Sequence, residues 1–247
     1  GPAPGGTCTN VGCIPSKALL QSSEHFEHAG HHFGEHGIGV KGLSIDVAKM
    51  IARKDAVVKQ NNDGILYLLK KNKVSFFHGR GSFVKAVDGG YEIAAGAETL
   101  SAGQIIVATG SNARALPGVP FDEEKVLSND GALRIDAVPK TLGLIGSGVI
   151  GLEMGSVWRR LGAEVTVLEA LPTFLGAVDD QIAKEAHKAF TKQGMKIELG
   201  VKVGAIKAGA KGVSVAYANA KGEAQTLKVD KLIVSIGRIP NTTGLNA

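Results

Sequence analysis

Residues 141–151 read Thr-Leu-Gly-Leu-Ile-Gly-Ser-Gly-Val-Ile-Gly, an apolar stretch followed by a Gly-x-Gly-x-x-Gly turn. The apolar stretch predicts a strand at 141–145, and the glycines lead into a helix that ends near Leu161. A second strand follows at 164–168. This order is a βαβ unit, which predicts an α/β fold with a parallel sheet.

The glycine turn is typical of a dinucleotide site that faces the N-terminus of the following helix. Gly146 permits the tight turn, Gly148 lets a pyrophosphate approach the backbone, and Gly151 lets helix and strand pack closely. Glu169, at the end of the second strand, can accept hydrogen bonds from ribose hydroxyls and would repel a 2′-phosphate. No arginine occurs between Glu169 and Gln193, which favours NADH over NADPH. The alternative is an ordinary glycine turn with a surface glutamate.

Residues 5–17 read Gly-Gly-Thr-Cys-Thr-Asn-Val-Gly-Cys-Ile-Pro-Ser-Lys and contain the only two cysteines of the chain, Cys8 and Cys13. Two thiols at this spacing among glycines can form a disulfide where the backbone departs from a regular helix. Pro15 suits the first turn of a helix, so Cys13 is expected near a positive helix end and Cys8 on the preceding loop. The alternatives are inert thiols, a structural disulfide, or half of a zinc site, although zinc would need further ligands at matched spacing.

The cysteine run resembles the active-site signature of the flavin disulfide oxidoreductases, and Ile14 with Ser16 is most similar to the dihydrolipoamide dehydrogenase branch. The resemblance implies that Cys8 exchanges with the substrate disulfide and that Cys13 contacts FAD. It also places Lys17 near the flavin and pairs it with Glu153, on the helix after the glycine turn. We therefore predict an ion pair between Lys17 and Glu153.

The resemblance assigns cofactor contacts along the whole chain. Thr109, Gly110 and Ser111 match a return segment beside the flavin, and Gly81 matches a glycine near its adenine end. Val203 matches a residue that packs on the NAD adenine, and Gly237 a glycine near the nicotinamide. The remaining predicted contacts belong to the glycine turn and the helix that it opens: Ser147, Val149, Ile150 and Leu152. No metal site is expected, since glycines interrupt the histidine cluster at 25–36.

Along the chain we expect helices at 16–29, 45–72 and 179–193. Trp158 lies at helical spacing from apolar residues and is expected to be part of the core. Strands are expected at 74–77, 81–87, 91–95, 104–108, 196–199, 212–217, 225–229 and 231–236. Both halves end on an apolar run followed by glycine, which is a weak internal repeat. The expected architecture is two Rossmann-like nucleotide-binding domains, each with an inserted antiparallel β-meander, at 1–125 (FAD, incomplete) and 126–247 (NAD).

Composition excludes several classes of protein. Hydrophobic residues make up 44% and charged residues 21%, with no apolar run long enough to span a membrane. The net charge of +5 comes from interleaved acidic and basic residues, and aromatic residues are only 5%, so nucleic-acid binding is not expected. The start of the chain lacks the pattern of a signal peptide, which makes a cytoplasmic location the expectation.

The resemblance implies a whole enzyme that oxidises protein-bound dihydrolipoamide and reduces NAD through its disulfide and FAD. The implied partners are the lipoyl domain of a 2-oxo acid dehydrogenase complex and a second copy of the subunit. The chain resembles an internal fragment, because the family's first FAD-binding glycine turn and its interface domain are not found in it, so turnover is not expected from the fragment alone. The alternatives are a mercuric or glutathione reductase, a soluble transhydrogenase, or a non-catalytic NAD-binding module.

Overall fold

The computed structural model describes residues 3–247. Its helices are α1 (Gly6–Val11), α2 (Cys13–His31), α3 (Val47–Lys71), α4 (Asn129–Ala132), α5 (Val149–Arg160) and α6 (Asp180–Lys192), with a 3₁₀ turn at Phe33–His36. Its strands are β1 (Gly81–Val87), β2 (Gly90–Ala95), β3 (Glu98–Ala102), β4 (Ser111–Ala113), β5 (Val126–Leu127), β6 (Thr141–Ile145), β7 (Glu164–Glu169), β8 (Lys196–Leu199), β9 (Lys202–Gly209), β10 (Gly212–Ala218), β11 (Ala224–Val229), β12 (Lys231–Val234) and β13 (Arg238–Pro240). The α/β class expected from the sequence is confirmed.

The centre of the fold is a five-stranded parallel sheet in the order β5-β12-β6-β7-β8. The predicted βαβ unit is present as β6, α5 and β7, and Ile145 pairs with Leu168 at the ends of its two strands. Gly155 lets α5 lie close to the sheet, because a Cβ on it would come within 2.6 Å of Leu144 Cδ1. The carboxyl ends of β6 and β7 therefore meet at the glycine turn, where a parallel sheet of this type binds its ligands.

The structure also contains two antiparallel meanders, as expected. The first has the order β1-β2-β3, and the second has the order β11-β10-β9. The strands β3 and β9 were not predicted, because neither shows a sustained alternation of apolar and polar residues.

Two strands predicted in the first half, 74–77 and 104–108, are wrong. Both segments lack strand pairing, and all their large apolar side chains except Ile105 are exposed, most of all Ile106 at 92%. A strand forms only where a neighbour accepts and donates its main-chain hydrogen bonds, and residues 3–247 supply no such neighbour for either segment. Strands among residues 3–125 are accordingly all antiparallel.

Helices α2, α3 and α5 form a layer that connects the cysteine run with the central sheet. Helix α2 packs against both α3 and α5, and Leu19 and Trp158 are fully buried in the shared core. The expected core role of Trp158 is confirmed. Within residues 3–247, none of the helices is both long enough and apolar enough to cross a membrane.

Candidate active site

The two cysteines lie on either side of a helix break. Cys8 is in α1 and Cys13 is the first residue of α2, with Gly12 between the two helices. The prediction that Cys8 lies on a loop is therefore wrong, while Pro15 does stand in the first turn of α2. A Cβ at Gly12 would lie 3.0 Å from the Thr7 carbonyl oxygen, so glycine allows the close turn that brings the two sulfurs together.

Both cysteines are free thiols and both are exposed. The pKa of the Cys8 thiol is raised above its ordinary value, chiefly because it hydrogen-bonds to the Cys13 side chain, with a further contribution from loss of solvation. The main-chain N–H of Cys13 and the charge of Lys17 act in the opposite direction. The contact with Cys13 therefore favours the protonated form of the Cys8 thiol.

The predicted ion pair between Lys17 and Glu153 is present, with 2.6 Å between Nζ and Oε1. Lys17 lies one turn after Cys13 on α2, and Glu153 lies on α5. The pair joins the cysteine helix to the helix that opens at the glycine turn. The Lys17 charge also acts on the Cys8 thiol, whose pKa it lowers.

A cavity of about 320 Å³ collects these groups. Six of the predicted site residues besides Glu153 line it: Cys8, Cys13, Lys17, Ser111, Val149 and Ile150. The cavity also reaches Asn129 and Arg238, which the sequence did not single out as functional. Helix–helix packing therefore assembles one site from residues that the sequence assigned to two separate nucleotide-binding units.

The glycine turn leaves open space beside the N-terminus of α5. Gly146 has φ +99°, and a Cβ on it would lie 2.3 Å from the Ser235 carbonyl oxygen, so only glycine fits. Gly148 precedes α5 without a side-chain cap, and the nearest atom to a Cβ on it is 4.0 Å away. The uncapped N–H groups and the open space beside Gly148 fit the pyrophosphate of a dinucleotide.

Glu169 is held at the end of β7 by three donors. Its Oε2 accepts hydrogen bonds from the Ser147 N–H at 2.6 Å and the Ser147 hydroxyl at 2.8 Å. Its Oε1 accepts one from the Leu171 N–H at 2.9 Å. The carboxylate is thus fixed beside the glycine turn, where ribose hydroxyls would meet it.

The other predicted contacts lie outside the cysteine cavity. Thr109 and Gly110 join Ser111 in lining a neighbouring cavity of about 590 Å³. Gly81 is the first residue of β1, Val203 lies on β9, and Gly237 precedes β13 with φ +121°. Leu152 is 1% exposed and belongs to the core, and Gly151 approaches the Gly146 carbonyl oxygen. Their roles toward a cofactor stay predictions.

Arg238 and Asn129 are the polar residues that sequence reasoning missed. Arg238 donates from Nε to the Ser111 hydroxyl at 2.7 Å and from Nη1 to Asn129 Oδ1 at 2.9 Å. The signal for Arg238 was its position directly after the predicted Gly237. Asn129 has no local signal, because its contacts come from residues distant in the chain. No group of three or more metal-ligating side chains occurs among residues 3–247, the histidines of α2 included.

Comparison with known proteins agrees with this geometry. Residues 3–247 match the pyridine nucleotide-disulphide oxidoreductase family. A dihydrolipoyl dehydrogenase from Cupriavidus necator is 57% identical over 98% of this chain and 51% of its own length, and a mitochondrial dihydrolipoyl dehydrogenase from Pisum sativum is 45% identical over 98% and 49%.

Among solved structures, the HOCl-induced flavoprotein disulfide reductase RclA from Escherichia coli is 27% identical with a TM-score of 0.74, covering 98% of this chain and 50% of that one. The chain spans about half the length of the curated relatives it matches. With a family match over nearly every residue, the chain belongs to the pyridine nucleotide-disulphide oxidoreductases.

Proposed function

We propose that the complete protein containing this chain is a dihydrolipoyl dehydrogenase, which oxidises dihydrolipoamide to lipoamide and reduces NAD through a redox-active disulfide and FAD. The observation that carries this proposal is the single cavity that joins Cys8 and Cys13 to the Lys17–Glu153 ion pair. The relatives that are 45–57% identical and are named dihydrolipoyl dehydrogenase support the choice of substrate.

The chain's own residues suit a thiol–disulfide exchange. Starting from the Cys8–Cys13 disulfide, a substrate thiolate attacks the Cys8 sulfur and Cys13 leaves as a thiolate. The second substrate thiol then attacks the mixed disulfide, so that lipoamide is released and Cys8 takes up a proton. The substrate loses two electrons and the cysteine pair gains them.

The charged residues around the sulfurs have separate roles in this proposal. Lys17 stabilises the thiolate on the cysteine pair, since its charge lowers the pKa of Cys8. Glu153 holds Lys17 at the junction of α2 and α5, where the ring end of FAD would bind. FAD, when bound, supplies a two-electron carrier between the thiols and the nicotinamide. The residues Ser111, Gly110 and Thr109 would bind it from the neighbouring cavity.

The nucleotide preference follows from Glu169. The open N-terminus of α5 at Gly148 would bind the NAD pyrophosphate, and the fixed carboxylate of Glu169 would accept the ribose hydroxyls. The same carboxylate would repel the 2′-phosphate of NADPH. Val203 and Gly237 would contact the adenine and nicotinamide ends.

We also propose two domains, at 1–125 and 126–247, because the parallel sheet begins with β5 at Val126. The proposed partners are a lipoyl domain of a 2-oxo acid dehydrogenase complex and a second subunit, and the proposed location is the cytoplasm, in line with the bacterial relative. Sedimentation of the complete protein and its binding to an isolated lipoyl domain test the two partners, and cell fractionation tests the location.

The decisive experiment is a visible spectrum of the complete protein. Yellow protein that gains long-wavelength absorbance on addition of one equivalent of NADH supports the proposal, and Cys13→Ser should remove that band. Steady-state oxidation of dihydrolipoamide with NAD should be lost in Cys8→Ser. A colourless complete protein that binds NAD with unchanged affinity in both cysteine variants would instead establish a non-catalytic NAD-binding module. NADH-dependent reduction of glutathione disulfide or mercuric ion, without lipoamide turnover, would indicate a different reductase.

A further inference from the structure

The main-chain carbonyl of Val11 lies between the two cysteines and cannot be satisfied by the helix. In a continuous helix this carbonyl would accept a hydrogen bond from the residue four positions later. That residue is Pro15, which has no N–H. The sequence of the cysteine run therefore creates a free acceptor at the break between α1 and α2.

The side chain of Asn129 satisfies this acceptor. Its Nδ2 donates to the Val11 carbonyl oxygen at 2.7 Å, across 118 residues of sequence. Asn129 is 8% exposed, so the hydrogen bond is shielded from water. The amide is in turn oriented by Arg238, whose Nη1 donates to Asn129 Oδ1 at 2.9 Å.

Arg238, on β13, is itself held by two hydrogen bonds to Ser111 on the neighbouring strand β4. Its Nε donates to the Ser111 hydroxyl at 2.7 Å and its Nη2 to the Ser111 carbonyl oxygen at 2.5 Å. A continuous chain of contacts thus runs from the paired strands β4 and β13 through Arg238 and Asn129 to the break between the sulfurs.

We propose that Asn129 and Arg238 are positioning residues that hold the break between Cys8 and Cys13, and thereby determine how readily the two sulfurs close into their disulfide. This inference rests on the redox role given to the cysteine pair in the proposed function. Because a helix break is free to open where its carbonyl has no partner, loss of the Asn129 donor lets the sulfurs separate and lowers the effective concentration of one thiol at the other.

The experiment measures the disulfide equilibrium of the complete protein in glutathione buffers. In this equilibrium the dithiol and one oxidised glutathione give the Cys8–Cys13 disulfide and two reduced glutathiones. After rapid alkylation, mass spectrometry of the peptide that contains both cysteines gives the oxidised fraction, and this readout does not depend on turnover. For Asn129→Ala we expect the equilibrium constant for disulfide formation to fall about tenfold, as for loss of one shielded hydrogen bond.

Arg238→Lys tests the contact between Arg238 and Asn129. Lysine keeps the positive charge but cannot donate hydrogen bonds to Ser111 and Asn129 at the same time. We expect a fall in the same direction, and this variant carries the comparison if Asn129→Ala does not fold. The matched control is Arg53→Lys, since Arg53 also holds a main-chain carbonyl of the cysteine helix, Ala18, at 3.1 Å, but lies on α3 away from the break. The control should leave the equilibrium constant within about twofold of wild type.

If the equilibrium constant for disulfide formation is the same in wild type and in both test variants, the inference is overturned. It is also overturned if this constant falls as far in Arg53→Lys as in the test variants, because general loosening of the helices would then explain the result. These outcomes leave the proposed function intact. A wild-type protein that forms no Cys8–Cys13 disulfide in any buffer would overturn the inference and the proposed function together.

Discussion

Lys17 Nζ and Glu153 Oε1 lie 2.6 Å apart although 136 residues separate them in the chain. The pair forms because α2 packs along α5, which brings the turn after Cys13 beside the turn after the glycine loop. A charge contact thereby connects the thiol site with the nucleotide site. We expect this ion pair to affect the rate of electron transfer and to contribute little to the free energy of unfolding.

We expect Glu153→Gln to separate these two effects. Lys17 is 59% exposed at its side chain, and ion pairs of this exposure contribute about 0–1 kcal/mol, so the free energy of unfolding should change by less than about 1 kcal/mol. Flavin reduction by NADH in the complete protein should slow by at least about tenfold, because the charge beside the sulfurs is no longer held in place. Stopped-flow absorbance and urea unfolding measure the two quantities.

The matched control for this variant is Lys59→Met, which breaks an exposed ion pair with the same 2.6 Å distance within α3. It should leave flavin reduction unchanged. Unchanged kinetics in Glu153→Gln would contradict a role for the Lys17–Glu153 pair in electron transfer.

Two glycines of one turn should respond to alanine in opposite ways. Gly146→Ala places a Cβ 2.3 Å from a main-chain oxygen at a positive φ, so the free energy of unfolding should fall by at least about 2 kcal/mol. Gly148→Ala has space for its methyl group in the protein and should cost less than about 1 kcal/mol. Its NADH affinity should nevertheless fall at least about tenfold, because the methyl group occupies the approach of the pyrophosphate.

Thermal unfolding and calorimetric titration with NADH distinguish these outcomes. A Gly148→Ala variant with wild-type affinity would show that the dinucleotide does not bind at the N-terminus of α5.

Glu169→Gln should weaken discrimination between the two nicotinamide dinucleotides. The variant loses the negative charge that repels a 2′-phosphate, so the affinity for NADPH should rise while that for NADH falls about tenfold. One amide oxygen cannot accept from both Ser147 and Leu171, so the free energy of unfolding should also fall by about 1–2 kcal/mol. Titration with each nucleotide measures the ratio.

Glu164→Gln, at the exposed opposite end of β7, is the control and should alter neither affinity. A Glu169→Gln variant that still excludes NADPH would assign the selectivity to another residue.

The reactivity of Cys8 should depend on Cys13. Because the hydrogen bond with Cys13 is the main cause of the raised pKa of Cys8, the Cys13→Ala variant should return that pKa toward its ordinary value. More Cys8 is then thiolate at about pH 8, so alkylation by iodoacetamide should become several-fold faster and its pH profile should move to lower pH. Lys17→Met should move the profile to higher pH, since the lysine charge lowers the pKa.

Peptide mass spectrometry after timed alkylation gives both profiles. If the profile of Cys8 is the same with and without Cys13, the two side chains do not share a proton.

Local signals predicted much of the fold. The strand, glycine turn and helix at 141–160 depend on residues that are neighbours in sequence, so their bounds were close to those of β6 and α5. The apolar runs at 74–77 and 104–108 were misjudged, because an apolar run becomes a strand only when a partner strand lies beside it. The start of α2 was placed too late, since it begins at Cys13 and takes Pro15 into its first turn.

The amino-acid sequence alone determined the spacing of Cys8 and Cys13, the glycines of the nucleotide turn and the acidic end of β7, because each depends on steric and hydrogen-bonding properties of adjacent residues. Only the tertiary structure brought Asn129 to the Val11 carbonyl and Arg238 to Asn129, across 118 and 109 residues. The sequence leaves the Val11 carbonyl without its helical partner, because Pro15 has no N–H. Which residue donates to this carbonyl instead depends on how the helices pack on the sheet. Contacts of this kind follow from the burial of apolar faces, which no local pattern of polar residues specifies.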